Sequence, residues 1–539
     1  MEALRSLEIG IRAVRTQRQA LHVIGHNIAN VNTPGFSRQR AVLTTTLPQG
    51  EMGTGVKVES VDRIRDEVVD FYIRSENPKL NKWKAKLKNL EEMEILFNEP
   101  SDNSIGKILN DFWDSWSDLA NNPENGAARA NVREQGEAIC DAFRTLYQNL
   151  RDLQEKIDEE IKTDVDHLNS IINQIAELNK EIEKVELGGR AHANDLRDKR
   201  DLLLDELSEL TGFEYEEMKD GTIRIGVHGQ LLVSKGVVSP FIAEAGENGF
   251  LEVKWEDSGE KVAITTGKLK GLMEIRDEVI PRFLSGLDSL ASTLIDEVNT
   301  LHRQGMGLDG TSKVEGWKNF SGSLDSDGSF EINGVNIQVA AGDDLDAIIA
   351  KINAKKDTTG VEASKDGDKL VLEPYSLNSQ TINITADPDN IMLDKLGILA
   401  NFFSGTGAED IDLDDAIKSD LSKIAASSNG APGDNSNALS IYQLKDKPVL
   451  EGGSSTFSDY YSKIIADLGV ETKQTRGLKE NQRTLLTQLE NRRQSICGVS
   501  LDEETTNMIL FQQAYRAAVY FLQMIDNLLD VLARAMVGY

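Results

Sequence analysis

Two apolar seams, one at each end of the chain, limit most strongly what this sequence can fold into. From Leu4 the positions Leu7, Ile11, Val14, Leu21 and Ile28 recur at alternating steps of three and four, interrupted by Arg18 and Gly25. That is the a/d pattern of a helix burying one narrow stripe against another helix, and Gly25 permits close backbone approach there. At the far end Met508, Phe511, Tyr515, Ala518, Leu522, Ile525, Leu529, Leu532 and Met536 keep the same steps. A chain that opens and closes on such helices is built to bring its ends together. Ordering about seventy residues costs more than one such seam returns, so the ends are expected to be disordered in a lone chain and to fold on assembly. Small residues such as Gly10, Ala13, Ala20 and Ala517 would let neighbouring backbones approach.

The first helix stops at a defined signal. Asn27, Asn30 and Asn32 lead into Thr33-Pro34-Gly35-Phe36, where Pro34 fixes φ and Gly35 supplies φ > 0 for a type II turn. Extended residues from 37 to 46 follow, then a connector around Gly50, Gly53 and Gly55, and an alternating strand at Val56, Val58 and Val61. Helical text resumes at about Asp66 and breaks near Pro100 and Pro123. Trp113 and Trp116, three apart, read as plugs of a packing face.

From about Ala127 to Leu187 an amphipathic row carries Leu150, Ile157, Ile161, Val165, Leu168, Ile172, Ile175, Ile182 and Val185. Gly188-Gly189 ends it, and a second helix runs from about Asn194 to Leu210, giving an antiparallel hairpin. The period then changes to two. Residues 213–266 read as a small β domain with turns at Asp220-Gly221 and Asn248-Gly249. Helix returns over 267–303. A second excursion, 305–432, has turns at Asp327-Gly328, Asn333-Gly334 and Asp366-Gly367, and carries a strand at 330–339, a helix at 343–354 and strands at 361–364 and 369–373. Helix resumes over 456–495, and Gly498 separates it from the last helix.

The layout is nested. It predicts a multidomain α+β chain, elongated, with a helical coiled-coil frame formed by both ends and two inserted, mainly β domains. The expected domains are 1–50 with 498–539, a helical bundle of 51–212 with 267–304 and 433–497, a β domain at 213–266, and an inserted domain at 305–432.

Chemistry is sparse. Gly305-x-Gly307-x-x-Gly310 has the letters of a dinucleotide loop but follows a helix and opens none. Asp325-x-Asp327-Gly328 lacks the later glutamate of a calcium loop. His22 and His26 sit one turn apart without a third ligand or a zincin glutamate. No catalytic, cofactor or metal site is expected, and the many acidic residues read as solvated faces. Lys plus Arg number 59 against 89 Asp plus Glu, a net −30 that disfavours nucleic acid and anionic membrane as partners. Two cysteines, Cys140 and Cys497, form no disulfide framework, and no apolar run reaches the ~20 residues of a membrane span.

The run from Leu21 to Arg38, with His26-Asn27-Ile28-Ala29-Asn30-Val31-Asn32-Thr33-Pro34-Gly35-Phe36 at its centre, resembles the N-terminal signature of bacterial flagellar axial proteins. Ser500-Leu501-Asp502-Glu503-Glu504 with Phe511-Gln512-Gln513-Ala514-Tyr515 is similar to their C-terminal motif. Ala193 to Leu207 resembles a helix of the hook-associated branch of that family. A module at about 330–375, from Ile332-Asn333-Gly334-Val335 to Leu370-Val371-Leu372, resembles the inserted module of flagellins and the filament cap. The resemblance implies a secreted, non-enzymatic subunit, exported without a cleaved signal and polymerised as a ring between hook and filament. It further implies contacts with copies of itself, hook protein, a second junction protein, filament and cap, and an export chaperone on the Met508–Met536 helix. Hook protein itself is the alternative within the family, and a cytoplasmic coiled-coil adaptor the alternative outside it.

Overall fold

The computed structural model describes residues 2–48, 53–102, 104–187, 192–308, 313–375, 382, 384–431 and 433–537, without the side chains of 2–4, 385, 532 and 535–537. Gly50, the Gly188-Gly189 stop, Gly310 and the side chains of Leu4, Leu532 and Met536 therefore lie outside the description. In chain order come α1 (Glu2–Ala29), β1 (Gln39–Thr45), β2 (Val56–Arg63), α2 (Glu67–Phe97), α3 (Ile105–Asn121), α4 (Gly126–Glu186) and α5 (Asn194–Leu210). Strands β3 (Glu214–Glu217), β4 (Ile223–Val227), β5 (Gln230–Ser234), β6 (Val237–Val238), β7 (Phe241–Ala245) and β8 (Leu251–Trp255) follow. Then come α6 (Lys268–Glu274), α7 (Ile280–Gln304), β9 (Val314–Glu315), β10 (Gly328–Ile332), β11 (Val335–Val339), α8 (Leu345–Asn353) and α9 (Lys356–Thr359). The chain closes with β12 (Val361–Asp366), β13 (Lys369–Pro374), β14 (Ile384–Ala386), β15 (Phe403–Ser404), β16 (Asp412–Leu413), α10 (Asp415–Ser419), α11 (Ser436–Tyr442), α12 (Phe457–Cys497) and α13 (Leu501–Val537). Long terminal helices thus bracket inserted sheets, the mixed α and β architecture expected.

Two compact units account for the chain. The first joins Met1–Lys88, Glu155–Ile275 and Lys473–Tyr539; the second joins Asn89–Gln154 and Arg276–Thr472. In the first unit α1 runs beside α13, and the β1–β2 hairpin packs on α1. Strands β3–β4–β5–β6 form one antiparallel sheet and β7–β8 a hairpin. Val69, Ile73 and Leu80 of α2 bury against Leu486 of α12.

The second unit has two cores. Phe112, Trp113, Trp116, Phe402, Phe403 and Phe457 are fully buried and linked ring to ring, with Trp116 5.3 Å from Phe402 and Trp113 5.6 Å from Phe457. The tryptophans are packing plugs, as their spacing predicts. The other core, including Phe330, Ile337, Ile348, Val361 and Leu372, lies in the inserted module. There the stretch read as strand over 330–339 folds back at the expected Asn333-Gly334 turn, whose φ of 50° and 76° set β10 against β11 as a hairpin. A π-helical turn at Ile275–Val279, unforeseen from the periodicity, joins α6 to α7.

One device recurs at several contacts between a helix and a strand. Asn169 of α4 donates to Phe241 O at 2.7 Å and accepts from Phe241 N at 3.0 Å. Asn179 treats Ile223 in the same way, at 2.9 and 3.0 Å. In the second unit Asn353 pairs with Ala363 and Asn299 with the 402–403 backbone. Each asparagine amide stands in for a missing strand, satisfying a backbone donor and acceptor that burial would otherwise orphan.

His302, near the end of α7, pins two loops. Its Nδ1–H donates to Ala400 O at 2.9 Å and its Nε2 accepts from Ala425 N at 3.0 Å. Burial chiefly, with Arg129 and Arg303 adding, outweighs the Ala400 carbonyl and lowers its pKa from 6.5 to about 4. The neutral form is the folded form, so the unfolded chain binds more protons between those values. Stability is full above pH 6.5 and falls as pH drops toward 4, by about 3 kcal/mol in total. Amide exchange of α7 and α3 should show this slope between pH 7 and 4.5. A His302→Gln chain, which keeps one donor and one acceptor, should show it only weakly.

Candidate assembly interface

The terminal-helix pair is built from both sequence motifs. The Thr33–Phe36 turn forms as predicted: Gly35 has φ of 78°, and Phe36 N donates to Thr33 O at 3.2 Å. A Cβ on Gly35 would lie 3.3 Å from Leu202 Cβ, so glycine also lets the turn seat on α5. Asn30 closes the helix by donating to His26 O at 3.0 Å and accepting from Thr33 Oγ1 at 3.1 Å. Phe36 meets the His26 ring edge-on, and Asn32 and Pro34 face solvent.

Asn27 is completely buried and repeats the strand-mimic pairing, donating to Gln39 O at 2.8 Å and accepting from Gln39 N at 2.9 Å. Its second amide hydrogen goes to Glu504 Oε2 at 3.0 Å. Arg38 takes the other oxygen of Glu504 at 2.7 Å and Glu503 at 2.6 Å. The two motifs, read separately in the sequence, form one polar node.

The hook-associated resemblance in α5 also acquires a physical basis. Asp195, Asp198, Asp201 and Asp205 share one helix face. Asp198 accepts from Ser37 N and Arg63, and Asp201 from Arg63 and Arg74. Arg65 lies 2.9 Å from Asp201, and Asp205 joins Arg74 and Arg493. Reading acidic residues as solvated faces fails here: Asp198, Asp201 and Glu504 are buried. A sequence signal existed, since Arg63, Arg65 and Arg74 are a charge-matched set, but nothing local says the two rows meet.

The α1 seam needs correction. The face of α1 that buries is Thr16, Ala20, Val23, Ile24 and Asn27, whereas Leu7, Val14, Leu21 and Ile28 are half-buried and Ile11 is 36% exposed. The β1–β2 hairpin explains the choice: Thr16 donates to Val56 O and Arg12 to Thr54 O, drawing that side of the helix inward. Close approach occurs at Gly10, where a Cβ would fall 2.6 Å from Leu522 Cδ2; Gly25 has open space.

On α13 the seam faces α1, but shallowly. Ile525 is buried, while Met508, Phe511, Tyr515, Leu522 and Leu529 are half-buried. Both ends are helical in this structure, and what they lack is depth of burial. A second stripe, missed in the sequence, consists of Leu510, Ala517, Tyr520, Met524, Leu528 and Val531. Tyr520 is 70% exposed, Met524 47% and Val531 65%. Most of its members stand two residues from a seam member, about 200° round the helix, so the stripe occupies the opposite face. α1 carries four arginines against two glutamates and α13 two arginines against five acids, so the helices are oppositely charged. Arg5, Arg15 and Arg18 of α1 are exposed.

No group of three or more His, Cys, Asp or Glu among the described residues is placed to hold a metal ion. Cys140 and Cys497 are free and buried. No helix among the described residues is long and apolar enough to cross a membrane.

Comparison with known proteins agrees along the chain. The family model for the flagellar hook-associated protein FlgK helical domain matches residues 90–315, and the flagellin hook IN motif matches 324–375. The flagella basal body rod protein model matches 7–36, and the flagellar basal body rod FlgEFG protein C-terminal model 494–535. Flagellar hook-associated protein 1 of Bacillus subtilis (strain 168) is 30% identical, covering 98% of both chains. The protein of the same name from Escherichia coli (strain K12) is 26% identical, covering 95% of this chain and 96% of that one. Among solved structures, the flagellar hook junction protein FlgK from Burkholderia pseudomallei shares the fold, with a TM-score of 0.55 at 14% identity over 80% of this chain and all of that chain.

Proposed function

The chain belongs to the flagellar hook-associated protein 1 family, and from that premise we propose that it is the structural subunit joining hook to filament in the bacterial flagellum. The observation that carries the reading is the bare stripe on α13, set opposite a seam that already holds α1. A helix with apolar residues on two opposed faces is half-partnered in a single chain. The occupant that fits is α1 of a neighbouring copy, because that helix keeps Ile11 and its exposed arginines outward while α13 is acidic. Such a contact is heterologous, and its repetition closes a ring or continues as a helix.

In this reading copies polymerise at the hook tip and seat the second junction protein, the cap and the filament. The same bare stripe gives an export chaperone its target, since an exposed apolar face invites aggregation until covered. Export precedes assembly. These partners rest on family resemblance and on the unpartnered face.

Deletion of the gene followed by electron microscopy tests the proposal. Expected are hooks without filaments and filament subunits lost to the medium. Normal filaments on the deleted strain would refute it.

A further inference from the structure

The contact between the two sequence motifs spans 477 positions and converges on one carboxylate. Glu504 is 2% exposed, with Arg38 Nε on Oε1 and Asn27 Nδ2 on Oε2. Asn27 has no freedom to turn over. Its two amide hydrogens serve Gln39 O and Glu504, and its oxygen serves Gln39 N. A flipped amide would set oxygen against both the Gln39 carbonyl and the carboxylate.

A second contact lies farther along the same helix pair. Gly10 meets Leu522, so closely that any side chain there would displace it. From Gly10 to Asn27 is seventeen residues, and from Glu504 to Leu522 eighteen. The antiparallel helices are therefore pinned twice in one register, by a polar node at one end and a steric notch at the other. A slip of one turn, about 5.4 Å, would bring Leu522 against Ser6 or Val14 and leave Glu504 buried without partners.

We propose that Glu504 is a positioning residue for assembly: held by Asn27 and Arg38, it sets the height of α13 against α1 and so the height at which the bare stripe meets the next copy. This rests on the assembly reading above. Away from the Gly10 notch, apolar packing does not select a register, since a stripe repeating every three or four residues presents an equivalent surface after each turn. A single buried polar contact does, because every wrong register leaves it unsatisfied.

The test is a set of chains returned to a strain lacking the gene: wild type, N27D, E504Q and N27D/E504Q. Filament-bearing hooks are counted per amount of chain exported. N27D places a carboxylate against the Glu504 carboxylate and the Gln39 carbonyl, and filaments should fall at least about tenfold, the equivalent of 1.4 kcal/mol. E504Q offers one acceptor where two are needed, and filaments should fall by about threefold to fivefold. In the double variant the amide introduced by E504Q donates to the carboxylate introduced by N27D, while its oxygen still accepts from Arg38. Filaments should then recover severalfold over N27D. Lesions that act independently of the Asn27–Glu504 contact would add, making the double variant worse than either. A double variant no better than N27D, or E504Q at wild-type level, overturns the proposal. Failure of the wild-type gene to restore filaments would instead count against the assembly reading itself.

Discussion

Replacing Asp201 with alanine should destabilise the first unit by about 3–5 kcal/mol, the usual cost of removing one partner from a buried charge cluster. Asp201 is 7% exposed and lies within hydrogen-bond reach of Arg63, Arg65 and Arg74, of which Arg74 is itself buried. Burial alone would raise its pKa; the guanidinium groups of Arg65, then Arg74 and Arg63, reverse this and hold the carboxyl far below the usual carboxylate range. The contribution is present at all pH values above the ordinary aspartate pKa and is lost only in strong acid. Asp198 and Asp205 compensate the arginines in part, which keeps the expected loss from being larger. Denaturant unfolding, followed by amide exchange in α5 and α2, checks it. A loss below about 1 kcal/mol would show that water or the remaining aspartates satisfy the cluster.

A second large effect belongs to assembly and should leave the fold alone. Met524→Asp sets a carboxylate in the middle of the bare stripe. In the single chain the site is exposed, so the stability change should stay within about 0.5 kcal/mol. At a contact between copies the same carboxylate would be desolvated without a partner, at about 3–5 kcal/mol, roughly 10²–10³ in association. Hooks without filaments are the expected phenotype, counted per amount of chain exported because the same stripe is the proposed chaperone target. Gln523→Asp, one residue away and off the stripe, is the control and should assemble. Equal filament yields from both variants would remove the stripe from the interface.

Much of the frame was legible because a 3–4 period is a direct statement of helix, and a Pro-Gly pair or Asn-Gly pair a direct statement of turn. The terminal helices, α4 and α5 as helices, and the Gly35 turn follow from those signals. Which face of a helix is used does not follow. On α1 the apolar seam lost to the Thr16–Asn27 face because the β1–β2 hairpin offered backbone acceptors to Thr16 and Arg12. On α13 the described seam residues are half-buried or, at Ile525, buried, and periodicity counted one stripe where the helix has two.

Polar burial was the other gap. Asn27, Asn169, Asn179, Asn299 and Asn353 look alike in a sequence, and their strand-mimic pairing depends on partners far away in the chain. Asp198 and Asp201 read as solvated charge until Arg63, Arg65 and Arg74 are brought against them. The π-helical turn at Ile275–Val279 breaks no residue preference and left no mark that periodicity detects. In each case the missing information was tertiary: a rule about one segment could not name the second segment.

That the ends of this chain are half-partnered alone and completed by their neighbours is open to one direct measurement. Amide exchange should be recorded for residues 5–29 and 501–531, in purified single chains and in isolated hook–filament junctions. The account predicts rapid exchange in the single chain, faster than in α4 or α7, and protection rising by at least about a hundredfold on assembly. Protection in the free chain already equal to that of α4, unchanged in the junction, would contradict it.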